Sequence, residues 1–337
     1  MVELSGKDVA IEQISKCSNI LLKGMYHNLF PKHLKITPQL NEVYELALAF
    51  YESRILSNEE IIKNGAYFAC VNKNFTRHFH MCTGDTLLLP EYSSSRLKSF
   101  FETNQFRTGY ATHGLFPYRG KFHPQMIKAL INIMGLKPGD TILDPMMGSG
   151  TVPIEACLMG INSIGFDASP FCRFLSHTKL KALTLKEKNL INIIHNYKKI
   201  FKFFVQLVGH PVYKSPEKNY KLNSEYVNQG PLSKEDFIKH FKGFKQSDLY
   251  DFLLLAYFDS VGYSERSKRM PPTEQFRSIL ERYIFAVEKI HRVMKCLEFK
   301  IGKATIKEGD ARYMQLDENS VDGILFSPPL IVLQSII

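Results

Sequence analysis

The chain has 337 residues, of which 45% are hydrophobic, so it can form a packed core and is long enough for two domains. Its 43 lysines and arginines outnumber 33 acidic residues, and the formal net charge of +10 favours a polyanionic partner such as nucleic acid. The composition excludes a low-complexity chain, and no stretch approaches the roughly 18 apolar residues of a membrane span.

Two further features concern the compartment. Residues 1–14 mix charged and apolar side chains and do not resemble a signal peptide. The 6 cysteines are scattered, without the spacing of zinc ligands or of a disulfide framework. We therefore expect reduced thiols in a cytoplasmic protein.

The first hundred residues carry helix and strand signals of their own. Thr37-Pro38 is typical of a helix start, and the apolar spacing that follows predicts a helix over residues 39–56. Ser57 and Glu60 form the pattern of a capping box, which predicts a second, short helix.

The alternating residues 67–89 predict a β-hairpin or an extended segment. In that conformation His78, His80 and Cys82 share one strand face, and a metal site is one reading of them. Their spacing matches no familiar ligand set, so ordinary packing is the preferred interpretation.

The middle of the chain predicts the opening of a doubly wound α/β domain. After a helix over residues 124–134, the pattern gives a short buried strand at 141–143, a helix at 152–159 and a second strand at 163–166. This strand–loop–helix–strand series is typical of a cofactor-binding sheet.

The loop between the first strand and its helix reads Asp-Pro-Met-Met-Gly-Ser-Gly-Thr over residues 144–151. Glycines let the backbone approach a ligand, and the helix start supplies unpaired N–H groups. Asp144 replaces the first glycine of the dinucleotide fingerprint, so the loop suits a cofactor with a cationic amino-acid portion, whose α-ammonium Asp144 can bind directly or through water. Asp167 ends the next strand, where a carboxylate accepts ribose hydroxyls. A structural glycine turn is the alternative, but three features coincide here.

The region from 179 to 300 is mostly helical and far longer than one crossover needs, which indicates an inserted helical subdomain. The predicted helices cover 189–208, 234–244, 247–258 and 273–297. Polar stretches at 209–231 and 260–272 are predicted to interrupt them, and strand character returns at 304–308 and 321–326.

Both returning strands end in candidate site residues. Asp310 and Ala311 follow the first, and an aspartate there can accept a hydrogen bond from an adenine amino group, although Gly-Asp is also ordinary turn chemistry. The second, interpreted as a buried strand, runs into Ser327-Pro328-Pro329. Prolines remove backbone donors and leave carbonyl acceptors, so this end suits an exocyclic amino group. The alternative is a plain proline loop.

These motifs together resemble those of the amino-group DNA methyltransferases, the N4-cytosine and N6-adenine enzymes that use S-adenosylmethionine. Residues 144–151 are similar to their Asp-Pro-Phe-x-Gly-Ser-Gly-Thr cofactor loop, with Met146 where phenylalanine is usual. Residues 112–125 are similar to a His-Pro-Tyr-Pro-Ala-Lys-Phe segment that precedes this loop in one subgroup. Residues 327–329 resemble the Ser-Pro-Pro-Tyr catalytic motif, whose serine form is commoner in N4-cytosine enzymes.

The resemblance implies roles for individual residues. The residues it assigns to catalysis are Ser327, Pro328 and Pro329. Those it assigns to the cofactor are Phe122, Asp144, Pro145, Gly148, Gly150, Thr151, Asp167, Asp310 and Ala311. Arg119 and Lys121 are candidates for contacts to nucleic-acid phosphates, with surface solvation as the alternative.

The implied fold is an α/β Rossmann-like class I methyltransferase sheet, incomplete at its C-terminus, with a helical insertion and an N-terminal α+β extension. The expected divisions are an extension at 1–105, a cofactor half at 106–180, the insertion at 181–300 and a return to the sheet at 301–337. The expected partner is double-stranded DNA in a restriction–modification or related system, with N4 of cytosine favoured over N6 of adenine. The alternative substrate is a base amino group in RNA, as in tRNA guanine methyltransferases.

The sequence departs from the family after the Ser-Pro-Pro motif. Leu330 stands where the family places an aromatic residue that stacks on the flipped base, and about three further strands are expected after it. A shifted reading of codons for residues 330–337 can encode a tyrosine, a short spacer and Asp-Tyr, which predicts a frameshift near the Pro329 codon. The alternative is an inactive fragment, or one completed by a separate polypeptide.

Overall fold

The computed structural model describes residues 29–37, 40, 42–82, 108–185, 190–208, 235–237, 241, 247–266 and 271–328. They form a small antiparallel sheet with helices, a parallel sheet with helices, and a helical insertion. None of the described helices has both the length and the apolar character needed to cross a membrane.

The N-terminal unit is a three-stranded antiparallel sheet in the order β1-β2-β3, packed with helices. Its elements are β1 (Leu34–Ile36), α1 (Val43–Ile55), α2 (Asn58–Asn64), β2 (Phe68–Val71), β3 (Asn74–Phe75) and α3 (Arg77–Cys82). The start of the first helix is predicted wrongly, because Glu42 caps α1 and exchanges capping-box bonds with Glu45. The capping box of Ser57 and Glu60 is confirmed at the start of α2.

The predicted hairpin over 67–89 is correct only at its beginning. Among the described residues, β2 and β3 are followed at once by α3, because the Thr76 hydroxyl accepts a hydrogen bond from the Phe79 N–H at 3.1 Å and starts a helix. His78 and Cys82 therefore lie one helical turn apart, not on a strand face, with Nε2 and Sγ 3.3 Å apart. No cluster of three metal-ligand side chains occurs in the described part of the chain.

The N-terminal unit joins the next unit through a buried polar contact. Glu52 of α1 is fully buried and accepts hydrogen bonds from the Asn132 side chain at 2.6 Å and from the Ala66 N–H at 3.0 Å. Burial raises the pKa of Glu52 to about 7. Because Asn132 belongs to the helix before the parallel sheet, this contact fixes one unit against the other.

The parallel sheet has the predicted α/β order. Its elements are α4 (Pro124–Ile133), β4 (Thr141–Asp144), α5 (Thr151–Leu158), β5 (Asn162–Asp167), α6 (Pro170–Ala182), β6 (Ala304–Glu308) and β7 (Gly323–Ile324). The strand order is β6-β5-β4-β7, and every neighbouring pair is parallel. The order reverses at β4, so the carboxyl end of β4 is the point where ligands bind in such sheets.

The strand that leads to Ser327 was predicted to be buried over residues 321–326, which is wrong. Only Gly323 and Ile324 form strand, and among the described residues they pair with β4 alone. Ile324 is 53% exposed and Phe326 is 45% exposed. A run of apolar residues predicts a buried strand, but it does not reveal whether the strand lies at the edge of a sheet with part of its side chains exposed.

The helical insertion comprises α7 (Ile191–His195), α8 (Tyr197–Val208), α9 (Ser247–Arg266) and α10 (Pro272–Cys296). The predicted interruption from residue 260 is wrong, because α9 continues to Arg266 and buries Asp259 and Ser260. Asp259 pairs with Arg282 at 2.7 Å, and the Ser260 hydroxyl donates to the Tyr257 carbonyl at 2.7 Å. The helix predicted over 234–244 lies mostly outside the described residues.

One aromatic-rich core joins the insertion to the parallel sheet. Leu115 and Leu175, which flank the sheet, belong to the same buried cluster as the insertion. Its large rings include Phe201, Phe204, Phe237, Tyr257, Phe276 and Tyr283. The insertion therefore packs directly on the elements that form the candidate site.

Candidate active site

A cavity of about 820 Å³ lies at the carboxyl ends of the parallel strands. Residues after every strand contribute to it, among them Asp144 after β4, Asp167 after β5, Asp310 after β6 and Ser327 after β7. The structure therefore brings together the described candidate site residues except Gly150, which does not line the cavity and lies against Ser176 of α6. Pro329 and Leu330 lie outside the described residues.

The glycine loop between β4 and α5 has the conformation that its sequence requires. Gly148 and Gly150 have φ values of +50° and +79°, which residues with a side chain rarely adopt. A Cβ atom on Gly150 would lie 2.8 Å from the Ser176 hydroxyl of α6. That hydroxyl donates to the Gly148 carbonyl at 2.9 Å, so the loop sits tightly against α6.

Asp144 is the most buried carboxylate of the cavity wall, with 4% of its surface exposed. The Met146 N–H donates to it at 3.1 Å. Burial, and to a smaller extent the nearby Asp167 charge, raises the pKa of Asp144 to about 7. A bound ammonium group would offset this unfavourable burial.

Ser149 and Thr151 add polar groups at the start of α5. The Ser149 hydroxyl is buried without a hydrogen-bond partner, although it lines the cavity. Such an atom indicates a ligand or water position. The buried carboxylate, the glycine cradle and this hydroxyl together fit a cofactor with an amino-acid portion.

Asp167 has a structural contact in addition to its predicted role. One carboxylate oxygen accepts from the Gly148 N–H at 2.8 Å, and the other accepts from the Ser169 N–H at 2.9 Å. The carboxylate therefore holds the glycine loop and the start of α6. Each oxygen keeps a second lone pair for a hydroxyl group.

Asp310 is already paired, which the sequence did not predict. The Arg312 guanidinium donates to both of its oxygens at 2.5 to 3.1 Å. These hydrogen bonds lower the pKa of Asp310 to about 2. A ligand amino group would share this carboxylate with Arg312.

Ser327 and Pro328 form the opposite side of the cavity and are exposed. The Ser327 hydroxyl lies 3.5 Å from the Pro328 carbonyl, which is long for a hydrogen bond between oxygens. Both oxygens are therefore able to accept hydrogen bonds from a ligand.

A wall segment, which we call the 108–122 arm, covers the glycine loop. Phe122 lines the cavity and packs against the sheet core. Lys121 was predicted to contact a nucleic-acid phosphate. Its ammonium instead donates to the carbonyls of His113 at 3.0 Å and Thr108 at 3.3 Å. Arg119 is exposed at the rim of the cavity.

A buried network that the sequence analysis missed anchors the arm. Glu155 of α5 accepts from the Tyr110 hydroxyl at 2.6 Å, and His113 Nε2 lies 2.6 Å from the same oxygen. Burial lowers the pKa of His113, so a neutral ring donates to Glu155. The sequence motif of residues 112–125 contains His113, but it could not indicate the partner Glu155, which is 42 residues away.

Comparisons with known proteins agree with this geometry. A family model described as an RMKL-like methyltransferase domain matches residues 115–201, which include the last part of the arm, the glycine loop and Asp167. The chain is 24% identical over 271 residues to the Type II methyltransferase M.BsoBI of Geobacillus stearothermophilus, covering 67% of this chain and 50% of that protein.

Two other relatives match shorter stretches of the chain. The Type II methyltransferase M.MjaII of Methanocaldococcus jannaschii is 39% identical over 92 residues, covering 27% of this chain and 17% of that protein. A tRNA (guanine(10)-N2)-dimethyltransferase of Methanothermobacter thermautotrophicus is 44% identical over 52 residues, covering 15% of this chain and 16% of that protein. The chain thus spans half or less of the length of these relatives.

Fold and site define an α/β protein with a Rossmann-like class I methyltransferase domain. The family model and the Type II relatives support an amino-methyltransferase family for this chain. The predicted fold class is confirmed, and these matches support the predicted resemblance to amino-methyltransferases.

Proposed function

We propose that this chain is an S-adenosylmethionine-dependent DNA methyltransferase that modifies an exocyclic amino group, with N4 of cytosine favoured over N6 of adenine. One observation carries the proposal. The glycine loop and the Ser327-Pro328 acceptors line the same cavity, so a methyl donor and an amino group can meet there.

The cofactor would be held by the strand ends. Asp144 would bind its α-ammonium, Asp167 its ribose hydroxyls, and Asp310 its adenine amino group. The other contacts would come from Phe122, Pro145, Gly148, Thr151 and Ala311, whereas Gly150 would only shape the loop. The raised pKa of Asp144 supports this assignment, because its buried carboxylate has no compensating cation and the α-ammonium of the cofactor would supply one.

The chemistry needs few groups from the protein. When bound, the cofactor supplies an electrophilic methyl group on a sulfonium. The Ser327 hydroxyl and the Pro328 carbonyl would accept hydrogen bonds from the amino group, orient it, and direct its lone pair towards that methyl. No nucleophilic cysteine is required, and burial raises the pKa of Cys157 to about 12 and that of Cys82 to about 12, which keeps both protonated.

The proposed partner is double-stranded DNA with its target base flipped out, in a cytoplasmic restriction–modification or related system. Flipping costs a few kcal/mol, which contacts to phosphates and bases must offset. Of the two cations predicted to contact phosphate, Arg119 at the rim is the better candidate, since Lys121 is held by carbonyls. We propose that the helical insertion contributes to target recognition.

A base amino group in RNA is the second candidate substrate, favoured by the local similarity to a tRNA dimethyltransferase. The enzymes of that group typically carry aspartate where this chain has Ser327. We therefore place DNA first.

The test is methyl transfer from labelled S-adenosylmethionine to duplex DNA and to tRNA, with the wild type and the Ser327→Ala variant. We expect label on DNA at the exocyclic nitrogen, and a loss of at least tenfold in the variant with cofactor affinity retained. Label on tRNA alone would assign the second candidate. A wild-type chain that is folded, binds cofactor and labels neither would contradict both.

A further inference from the structure

One lysine folds the 108–122 arm back on itself. The Lys121 ammonium donates to the His113 carbonyl at 3.0 Å and to the Thr108 carbonyl at 3.3 Å. Within the described part of the chain, neither carbonyl accepts another hydrogen bond. Because His113 is buried, its carbonyl depends on Lys121 and not on water for a donor.

The beginning of the arm is fixed to α5. His113 Nε2 and the Tyr110 hydroxyl both lie 2.6 Å from one carboxylate oxygen of Glu155, and all three residues are buried. The glycine loop leads directly into α5, whose first residue is Thr151. The helix that follows the glycine loop therefore also holds the part of the arm to which Lys121 is bound.

The end of the arm forms part of the cavity wall. Tyr118 and Phe122 line the cavity, and a Cβ atom on Gly148 would lie 3.5 Å from the Tyr118 ring. This end of the arm belongs to no helix or strand. Because it has no backbone hydrogen-bond ladder of its own, the two Lys121 bonds tie it to the anchored beginning of the arm.

The same contacts make Lys121 a poor ligand for a phosphate. An ammonium group has three N–H donors, and Lys121 uses two of them inside the protein. Lys121 is partly buried, and burial lowers its pKa. Arg119, two residues earlier, is exposed at the cavity rim, where a phosphate can reach it.

We propose that Lys121 is a positioning residue for the cofactor cavity and not a phosphate contact: its ammonium closes the arm and thereby holds Tyr118 and Phe122 in the cavity wall. The neighbouring Arg119 keeps the role at the phosphates. The inference rests on the proposed cofactor binding.

The experiment compares Lys121→Met and Lys121→Arg with Lys137→Met in the full chain. Methionine removes the donors from an unbranched side chain, whereas arginine keeps donors. Lys137 is the matched control, because it is 61% exposed and pairs with Glu60 at 2.8 Å outside the cavity wall. Calorimetry gives the affinity for S-adenosylmethionine, and hydrogen exchange of peptides covering residues 108–122 is measured without cofactor.

For Lys121→Met we expect faster exchange in the arm and a cofactor Kd raised about 5- to 30-fold, the effect of leaving a buried carbonyl without its donor. Lys121→Arg should stay within about threefold of the wild type, and Lys137→Met within about twofold. Equal Kd values for Lys121→Met and Lys137→Met would overturn the inference. Faster exchange with an unchanged Kd would do the same, as would an arginine variant as weak as Lys121→Met.

A second measurement separates this role from a phosphate contact. The Kd for duplex DNA is measured at several salt concentrations, because each phosphate contact contributes about 0.9 to the slope of log K against log salt. Arg119→Gln should reduce this slope by about 1, and Lys121→Met should leave it unchanged. A reduced slope in Lys121→Met with an unchanged cofactor Kd would assign Lys121 to a phosphate and overturn the inference.

If Lys121→Met does not fold, Lys121→Gln replaces it, since this change keeps one amide donor group. Exchange and cofactor Kd should then rise by a smaller factor, and no change in either would refute the role. A folded wild type that binds no cofactor would contradict the proposed function instead. The exchange data need no ligand: faster exchange confined to the arm would still show that Lys121 closes it, and unchanged exchange would refute this.

Discussion

The two walls of the cavity are built in different ways. The glycine loop takes its shape from its own residues, since Gly148 and Gly150 adopt positive φ and Asp144 ends the adjoining strand. The 108–122 arm has no regular structure and is held by Glu155 of α5, whose carboxylate contacts Tyr110 and His113. The first wall is therefore local in sequence, and the second depends on the packing of the whole domain.

The largest loss of stability should come from a substitution in the glycine loop. Gly150→Ala adds a Cβ 2.8 Å from the Ser176 hydroxyl at a φ of +79°, so we expect a loss of roughly 3 kcal/mol or more in unfolding free energy. Gly135→Ala is the matched control, because Gly135 has a φ of +74° with nothing within 4 Å of its Cβ position. It should lose only about 1 kcal/mol. Equal losses in urea unfolding would refute the close contact.

Substitutions in the buried network that anchors the arm should lower stability by a smaller amount. Glu155→Gln disturbs the acceptor of both Tyr110 and His113, and we expect a loss of about 2–3 kcal/mol, because buried donors are left poorly paired. Tyr110→Phe should lose about 1–2 kcal/mol. Both variants should also weaken cofactor binding. If urea unfolding shows a large loss but the cofactor Kd is unchanged, the arm is not a wall of the cofactor site.

The pH dependence of cofactor affinity tests the role of Asp144 in the glycine-loop wall. Since the pKa of Asp144 is raised to about 7, its carboxylate is mostly protonated below that pH and cannot attract an ammonium group. Cofactor affinity should therefore rise about tenfold from about pH 6 to about pH 8. Asp144→Asn should bind weakly without this dependence, whereas Asp317→Asn, an exposed control, should retain it. A flat wild-type profile would contradict the assignment of Asp144.

The smallest effect concerns Asp310 at the rim. Arg312→Gln removes the guanidinium that Asp310 now contacts, but Arg312 is 77% exposed and its pair is screened by solvent. We expect the cofactor Kd to change by less than about threefold. A tenfold gain in affinity, measured by calorimetry, would show instead that Arg312 blocks the site.

The contrast also explains what the sequence predicted. The glycine loop, the strand-end Asp144 and Asp167 and the alternation of strands and helices around them were predictable, because short-range patterns determine them. The anchors of the arm were not. Tyr110 and Glu155 are 45 residues apart, and no spacing rule links such residues.

Two errors in secondary structure have the same cause. The helix α3 follows a hairpin because Thr76, which donates to the Phe68 carbonyl at 2.6 Å, is fixed where it can cap a helix. The helix α9 continues past residue 260 because Asp259 finds Arg282 and Tyr283 on the neighbouring helix. In both places tertiary partners decide a segment whose local pattern points elsewhere.

The central claim is that the cavity at the strand ends holds S-adenosylmethionine through Asp144. Calorimetric titration of the full chain with the cofactor, beside Asp144→Ala and the exposed control Asp317→Ala, tests it most directly. The account predicts saturable binding at one site by the wild type and the control, and its loss in Asp144→Ala. Absence of binding by a folded wild type, or equal binding by all three chains, would contradict it.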